Sequence, residues 1–239
     1  MKHEPFNEST EMYLKTISEL TGKDDRITPI SSLAKWLGVS TVSATEMVHR
    51  LQEQGLIEHT PYKGVQLTED GQRMATQVIR SHRLWECFLE SHLRLPWERV
   101  HELACRLEHA TDAELTDALS AFLGDPQRCP HGNPVPHVDG TIEAEAVVSL
   151  DEVRPGERAT IRNIHPESTL LLEHLAQHNL KPGSEITVTE IAPFDGPILV
   201  ALGDESHAVG REVAGHIFVT AAEENSLEED SFEKAPREQ

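Results

Sequence analysis

A segment near the middle of the chain, VHELACRLEH, is rich in side chains that bind metal ions. Four such side chains occur in it, namely His101, Cys105, Glu108 and His109. At about 100° per residue, they fall within roughly a 100° arc on one face of a helix. Cys105, Glu108 and His109 are spaced i, i+3, i+4, so they can reach one ion together. The preceding segment SHRLWE places His82 and Glu86 at i, i+4. Two helices therefore each offer ligands, and the pattern favours a metal site.

Each of these residues also has an ordinary structural interpretation. A single His or Glu on a helix is usually solvated, and a buried Cys most often packs as a small hydrophobic residue. A structural zinc site of the zinc-finger type is disfavoured because the chain has no CxxC pair. A metalloenzyme is a second hypothesis, since such sites with an open position can activate water. Against it, the chain contains no HExxH motif, no phosphate-binding loop and no nucleophile–base pair.

The distribution of charge limits which surface could bind nucleic acid. The 239 residues include 21 Lys and Arg against 41 Asp and Glu, a formal net charge of −20. Residues 1–80 carry 9 basic and 11 acidic side chains, a balance of −2, which leaves 12 against 30, or −18, for the rest. A DNA-contacting face is therefore expected in residues 1–80 rather than later in the chain.

The sequence lacks the features of an exported or membrane protein. No stretch approaches the roughly 20 apolar residues of a membrane span, and the polar start MKHEPFNEST lacks the apolar run of a signal peptide. The three cysteines, Cys87, Cys105 and Cys129, form an odd set, so a disulfide framework is not expected. We therefore predict a soluble, cytoplasmic protein without a membrane partner.

The first segment has the pattern of a winged helix-turn-helix. A helix over Glu8–Leu20 precedes a short helix that begins at Pro29 and stops at Gly38. The next helix ends before Gly55, and a hairpin with its turn at residues 61–64 follows. Two short helices joined by a tight turn are the helix-turn-helix pattern. Helices and hairpins also occur in many domains that touch no DNA.

Side chains suited to DNA contact lie on the third helix and on its neighbours. They are Lys35, Ser40, Ser43, Thr45, Arg50 and Lys63. Serine and threonine hydroxyls can donate to phosphate, a threonine methyl can touch thymine, and Lys and Arg neutralise phosphate. Glu46 lies on the same helix, where its carboxylate would either accept from a cytosine amine or repel phosphate.

The remaining chain divides into a helical and a β-rich segment. Helices are expected over Glu69–Leu93, Pro96–His109 and Ala113–Leu123, before a proline-rich ordered loop. A small β-barrel is expected from strands over Ala159–Ile164, Glu185–Ile191, Ile198–Leu202 and Ile217–Val219 and a helix over Ser168–His178. We predict a DNA-binding domain (1–74), a helical metal-binding and dimerisation domain (75–140), a β-domain (141–222) and an acidic, disordered tail (223–239).

The motifs occur in the order found in one known family. STEMYLKTI, the helix-turn-helix and wing, SHRLWE, VHELACRLEH and CPHGNPVP together resemble the diphtheria toxin repressor family of metal-dependent transcriptional repressors. The resemblance covers about residues 8–136, and the β-segment is more loosely similar to an SH3-like, FeoA-like domain. It implies a mainly α protein with a small β domain: a winged helix-turn-helix, a helical dimerisation domain and a C-terminal SH3-like barrel.

The resemblance also implies two metal sites and an anion site. The activating metal site would consist of Met12, Cys105, Glu108 and His109. The other metal site would consist of His82, Glu86 and His101, with an anion held nearby by Arg83 and Asn133. The implied function is a metal-activated repressor that binds palindromic operator DNA as a homodimer and controls genes of metal-ion uptake and homeostasis.

Several residues depart from the family pattern. Cys129 stands where some members have Ser, and His131 stands where they have an aromatic residue, so either could be an extra ligand. Ligands from the β-domain do not align cleanly, and Glu167 and Glu173 are the nearest candidates. Glu46 replaces a Gln of some relatives, so the operator sequence could differ.

The ligand types of the implied sites favour iron over manganese. Thioether and thiolate are soft ligands that favour Fe(II), Co(II) or Ni(II) over Mn(II), and the manganese-sensing branch of the family resembles a site with more carboxylates. Met12 and Cys105 therefore indicate Fe2+, with Mn2+ as the alternative. A third hypothesis stays open: a winged-helix regulator that answers another ligand and holds only a structural metal, so that a chelator would unfold it.

Overall fold

The protein is mainly α-helical with a C-terminal β-domain, as the sequence predicts. The computed structural model describes residues 8–21, 26–143 and 145–221. Within these ranges no helix is both long and apolar enough to cross a membrane. The predicted acidic tail at 223–239 lies outside the described residues.

The N-terminal unit is a winged helix-turn-helix. It consists of α1 (Glu8–Thr21), α2 (Ile30–Leu37), α3 (Thr41–Glu53) and the antiparallel hairpin β1 (Ile57–Thr60) and β2 (Gly64–Leu67). Gly38 ends α2 in the left-handed conformation. The Ser40 hydroxyl caps α3 by accepting a hydrogen bond from the Ser43 backbone N–H. The apolar faces of the helices and the hairpin form one buried core.

Helices α4 (Glu69–Ser91), α5 (Val100–Leu107) and α6 (Ala113–Phe122) form the central region. The predicted single helix over Pro96–His109 is wrong at both ends, because short 3-10 turns flank α5 at Trp97–Arg99 and Glu108–Ala110. At the second turn, the Thr111 hydroxyl donates to the Leu107 carbonyl at 2.8 Å and so replaces a helical N–H partner.

The C-terminal unit is a six-stranded antiparallel sheet with one main helix. Its strands are β3 (Val148–Ser149), β4 (Arg158–Ile164), β5 (Glu185–Ile191), β6 (Ile198–Leu202), β7 (Glu205–Val209) and β8 (Ile217–Ala221), in the order β3-β8-β4-β5-β6-β7. Helix α7 (Thr169–Gln177) follows β4, and the short α8 (Arg211–Ala214) precedes β8. Strands β3 and β7 and helix α8 are not predicted from the sequence, because β3 has two residues, β7 is a polar edge strand and α8 is a single turn.

The C-terminal unit packs on the central region through Trp97 and the loop at 129–133. Trp97 belongs to the apolar core of the sheet, and its indole N–H donates to the Pro130 carbonyl at 2.8 Å. The Ile164 N–H donates to the His131 carbonyl at 3.0 Å. Gly132 touches β4 so closely that a Cβ there would lie 1.8 Å from the Arg162 carbonyl oxygen. This contact brings α4, α5 and the end of β4 together.

Gly132→Ala should therefore destabilise the protein, because no side chain fits against the Arg162 carbonyl. Gly156→Ala is the matched control, since Gly156 has a similar φ (89° against 83°) but open space at its Cβ position. In thermal unfolding, we expect Gly132→Ala to lower the melting temperature by about 5 °C more than the control. Equal losses in both variants would mean that backbone strain alone matters and that the contact is loose.

Candidate metal centre

Helices α4 and α5 bring three of the predicted ligands together. His82 and Glu86 are one turn apart on α4, and His82 Nε2 lies 3.0 Å from Glu86 Oε1 and 3.1 Å from His101 Nδ1. His101 Nδ1 lies 3.3 Å from Glu86 Oε1. His82 and Glu86 are buried, and His101 is partly buried. The i, i+4 spacing on α4 therefore directs both side chains at α5.

Glu167, in the segment between β4 and α7, adds a second carboxylate to this group. Its Oε2 lies 3.3 Å from His101 Nδ1 and 4.0 Å from His82 Nε2. The ligand atoms of His82, Glu86, His101 and Glu167 all lie within 4.8 Å of one another. Glu173, the other candidate from the β-domain, is an exposed residue of α7 and belongs to none of the ligand groups found among the described residues.

Cys129 and His131 form a second group with the same two carboxylates. The ligand atoms of Glu86, Cys129, His131 and Glu167 also lie within 4.8 Å of one another, and all four residues are buried. His131 Nδ1 is 3.1 Å from Glu86 Oε1, whereas its Nε2 is 3.0 Å from the Trp97 carbonyl oxygen. A ring N–H donated to a backbone carbonyl directs the other nitrogen, as in metal-binding histidines. Cys129 and His131, two residues that depart from the family pattern, therefore lie beside the first group. We refer to His82, Glu86, His101 and Glu167, together with Cys129 and His131, as the centre.

One carboxylate oxygen in the centre has no hydrogen-bond partner. Glu86 is completely buried, and its Oε2 has no partner among the described residues. Such burial is costly, because the oxygen loses water and gains nothing in return. The imidazole nitrogens and carboxylate oxygens grouped with Glu86 are the donors that divalent transition metals prefer. The residues present therefore fit a divalent cation.

Cys105 lies beside the same centre. Its Sγ is 3.7 Å from His101 Nε2, and Cys105, His82 and His101 form a third group of close ligand atoms. Burial opposes ionisation of the thiol, but hydrogen bonds with His101 and His82 and the charge of Lys15 lower the pKa of Cys105 to about 6. Cys105 is therefore mainly a thiolate at neutral pH, which is the form that binds metal ions.

The predicted activating site is only partly assembled. Glu108 is buried, and its Oε2 lies 2.8 Å from Lys15 Nζ. His109 Nδ1 lies 2.6 Å from Glu11 Oε2. Met12, between these two contacts on α1, is 42% exposed. Lys15 and Glu11, neither of which is a predicted ligand, therefore tie α1 to the 3-10 turn that follows α5.

Lys15 places a positive charge inside the centre. It is 7% exposed, and its ammonium shares the Glu108 Oε2 atom with His82 Nδ1. Burial opposes the charged form, but Glu108 and Cys105 raise the pKa of Lys15 above its ordinary value. No sequence signal identifies this lysine, because lysines on amphipathic helices are usually solvated.

Buried imidazoles carry the remaining positive charge. Burial favours the neutral ring, yet Glu86 and neighbouring hydrogen bonds hold the pKa of His82 well above its ordinary range. Against the same effect of burial, hydrogen bonds with Cys105, Glu167 and Glu86 raise the pKa of His101 to about 12. Protons on these rings therefore compensate the buried carboxylates when no metal is bound.

The predicted anion-binding residues, Arg83 and Asn133, bond to groups of the chain itself. Arg83 Nη1 donates to the Pro134 carbonyl. Asn133 Nδ2 donates to the Ile164 carbonyl at 2.9 Å and to Glu167 Oε1. The Glu167 carboxylate therefore lies beside Asn133, where the resemblance implies an anion, and an external anion would have to displace it.

The DNA-binding candidates lie on the surface of the winged helix, but some hydroxyls have structural partners. The exposed basic candidates are Lys35, Arg50 and Lys63. Ser40 Oγ accepts from the Ser43 N–H at 3.0 Å and lies 2.9 Å from Ser43 Oγ. Thr45 Oγ1 donates to the Thr41 carbonyl at 2.7 Å. The three basic side chains are therefore better placed to reach phosphate than the hydroxyls of Ser40 and Thr45.

Comparison with known proteins identifies the family. Sequence models described as the iron dependent repressor N-terminal DNA binding domain, its metal binding and dimerisation domain, and the FeoA domain match residues 5–65, 68–137 and 148–221. The iron-dependent repressor IdeR of Mycobacterium tuberculosis is 31% identical over 221 residues, which cover 87% of this chain and 94% of that protein. The chain belongs to the iron-dependent repressor family, which includes the diphtheria toxin repressor.

Further relatives agree with this assignment. The diphtheria toxin repressor of Corynebacterium diphtheriae is 32% identical over 207 residues, covering 81% of this chain and 88% of that protein. A solved manganese-dependent transcriptional repressor in complex with manganese is 33% identical with a TM-score of 0.83, covering 89% of this chain and all of that one. The family consists of metal-dependent transcriptional repressors and not of enzymes. The protein is a metal-dependent repressor with a DNA-binding and a dimerisation domain.

Lys15→Met should strengthen binding of a divalent cation, because it removes a like charge and frees the Glu108 carboxylate. We expect Co2+ to bind about tenfold more tightly in titrations followed by thiolate absorption. The metal-free variant should also melt at a lower temperature, since a buried ion pair has lost one partner. Lys35→Met, which removes an exposed lysine of the same domain, is the control. Unchanged or weaker Co2+ binding by Lys15→Met would contradict the assigned role of the ammonium.

Proposed function

We propose that the protein represses transcription through two adjacent metal sites on α5. The first comprises Met12, Cys105, Glu108 and His109. The second comprises His82, Glu86, His101 and Glu167, with Cys129 and His131 on its far side. The observation that supports this proposal most is the convergence of four ligand atoms from α4, α5 and the segment after β4, together with the second, unpartnered oxygen of the buried Glu86 carboxylate.

The chain's own contacts suggest how the centre controls the DNA-binding unit. Glu108 contacts His82 on α4 and Lys15 on α1, so its charge is shared between the centre and the winged helix. His109 in the same turn contacts Glu11 on α1. A bound divalent cation would supply the positive charge that protons and Lys15 supply without it. Redistribution of these contacts would move α1 relative to α5 and thereby reposition α3.

We propose Fe2+ as the physiological ion, with Mn2+ as the alternative. The thiolate of Cys105 and the thioether of Met12 are soft ligands, which favours Fe2+. Glu86, Glu108 and Glu167 are hard ligands that also suit Mn2+. The relatives include proteins named for iron and for manganese, so their names alone do not decide between the two.

We further propose a homodimer that binds a palindromic operator. Apolar side chains near the end of α4 and on α6 support a dimer contact there, because Phe122 of α6 is 64% exposed and Leu93, in the turn after α4, is 53% exposed. The rings of Phe88 and His92 are stacked, and Phe122 packs against both at a tilt. In the homodimer, two α3 helices about 34 Å apart would read two half-sites. Domain boundaries at 74, 140 and 222 are part of this proposal.

Cys105→Ala should abolish metal-dependent DNA retention while leaving the fold intact. Its thiolate is a proposed ligand, so we expect the metal concentration needed for operator binding to rise by about 100-fold or more. A gel shift with a promoter-fragment library in Fe2+, Mn2+ and chelator, with circular dichroism for the fold, measures both effects. Cys87→Ala is the control, because burial raises the pKa of the Cys87 thiol to about 12 and Cys87 lies in none of the ligand groups found within residues 8–21, 26–143 and 145–221. Metal-dependent retention by Cys105→Ala at the wild-type metal concentration would overturn the assignment.

Arg50→Ala and Lys63→Ala should weaken operator binding and its dependence on salt. Each exposed cation that contacts phosphate contributes about one unit to the slope of log affinity against log salt concentration. Binding isotherms at several salt concentrations with metal present give this slope. His49→Ala, on the same helix as Arg50 but without a fixed charge, serves as a comparison. A wild-type slope in the Arg50 and Lys63 variants would show that these side chains do not contact phosphate.

A further inference from the structure

Three histidines form a row on the C-terminal unit. We refer to His174, His178 and His207 as the three-histidine row. His174 and His178 are one turn apart at the end of α7, with ring centroids 4.9 Å apart. His207 lies on the edge strand β7, and its ring centroid is 5.3 Å from that of His178. The three imidazoles therefore form a continuous row from the end of α7 to the edge strand β7.

His207 has a buried nitrogen that lacks a hydrogen bond. His207 and Val209 are two residues apart on β7 and so share one face of the strand; because Val209 belongs to the apolar core of the sheet, the His207 ring points toward the core side. The side chain is 11% exposed. Its Nε2 has no hydrogen-bond partner among the described residues, and the Glu205 carboxylate lies 3.6 Å away. An unpartnered imidazole nitrogen at the core boundary is costly, and a ligand that bonds to it would offset that cost.

The spacing of the rings suits a shared metal ion. An imidazole centroid lies about 3.2 Å from a metal bound at about 2.0 Å, so two rings in tetrahedral coordination have centroids about 5 Å apart. Both measured separations are close to this value. The ring nitrogens of all three do not yet converge as tightly as those of the centre between α4 and α5. Rotation about the side-chain bonds of the three histidines and of the exposed Glu205 would have to bring their ligand atoms together.

We propose that the three-histidine row, with Glu205 as a fourth ligand, is a separate binding site for a divalent cation of the zinc type. Several imidazoles favour Zn2+, Ni2+ or Cu2+ over Mn2+ and Mg2+, which prefer oxygen ligands. The site lies on the sheet unit and uses none of the residues assigned to the centre on α5. The proposed site does not depend on the proposed function. It would select a different class of metal ion from the one bound by the centre.

Zinc titration of the full chain tests this proposal. The number of bound Zn2+ ions per chain is measured after dialysis, and the histidine ring signals are followed by nuclear magnetic resonance. We expect the ring signals of His174, His178 and His207 to shift together. His178→Ala and the surface variant His174→Ala should each bind one Zn2+ fewer at the concentration that saturates the wild type.

A matched control removes a ring from a pair that lacks a third partner. His49 and His59 pack edge to face with centroids 6.0 Å apart in the winged helix. His59→Ala should retain the wild-type zinc content. Because His174 is exposed, His174→Ala should leave the fold intact. The proposal is overturned if the three ring signals do not respond to zinc, or if His174→Ala binds as much zinc as the wild type.

Discussion

Buried negative charge is the constraint on which the rest of the structure depends. Glu86, Glu108 and Glu167 are buried carboxylates, and Cys105 beside them has a pKa of about 6. Charges removed from water are tolerated only when opposite charges and hydrogen bonds compensate them. Lys15 and the imidazole of His82, which both contact Glu108, contribute to that compensation. A site with this many buried negative groups favours the binding of a cation.

The winged helix, the central region and the C-terminal unit all contribute side chains to this charged network. Helix α4 leaves the winged helix and carries His82 and Glu86 into the centre, while Glu167 arrives from the sheet unit. The tight contact of Gly132 with β4 sets how closely Glu167 approaches. Lys15 then extends the same network to α1. Because this network of contacts reaches all three units, a change in its charge would alter the contacts of the DNA-binding unit.

The sequence predicts the parts of the centre that depend on local spacing. His82 and Glu86 share a helix face at i, i+4, and the six strands include four that stand out as apolar runs between turns. Contacts between residues that are far apart in the sequence cannot be predicted from local spacing. Lys15 becomes a buried partner of Glu108 only because α1 packs on α4, and α5 gives way to a 3-10 turn at Glu108. The edge strand β7 escapes notice because its exposed side chains show no apolar alternation.

Anomalous diffraction from crystals loaded with Fe2+ or Mn2+ tests the central claim most directly, because it locates the ion independently of any assumed ligand. The account predicts a peak within about 2.0–2.4 Å of His82, His101, Glu86 and Glu167 ligand atoms. Lys15 Nζ should then lie farther from Glu108 Oε2 than the present 2.8 Å. Absence of a peak among these side chains in metal-loaded crystals that bind operator DNA would contradict the account.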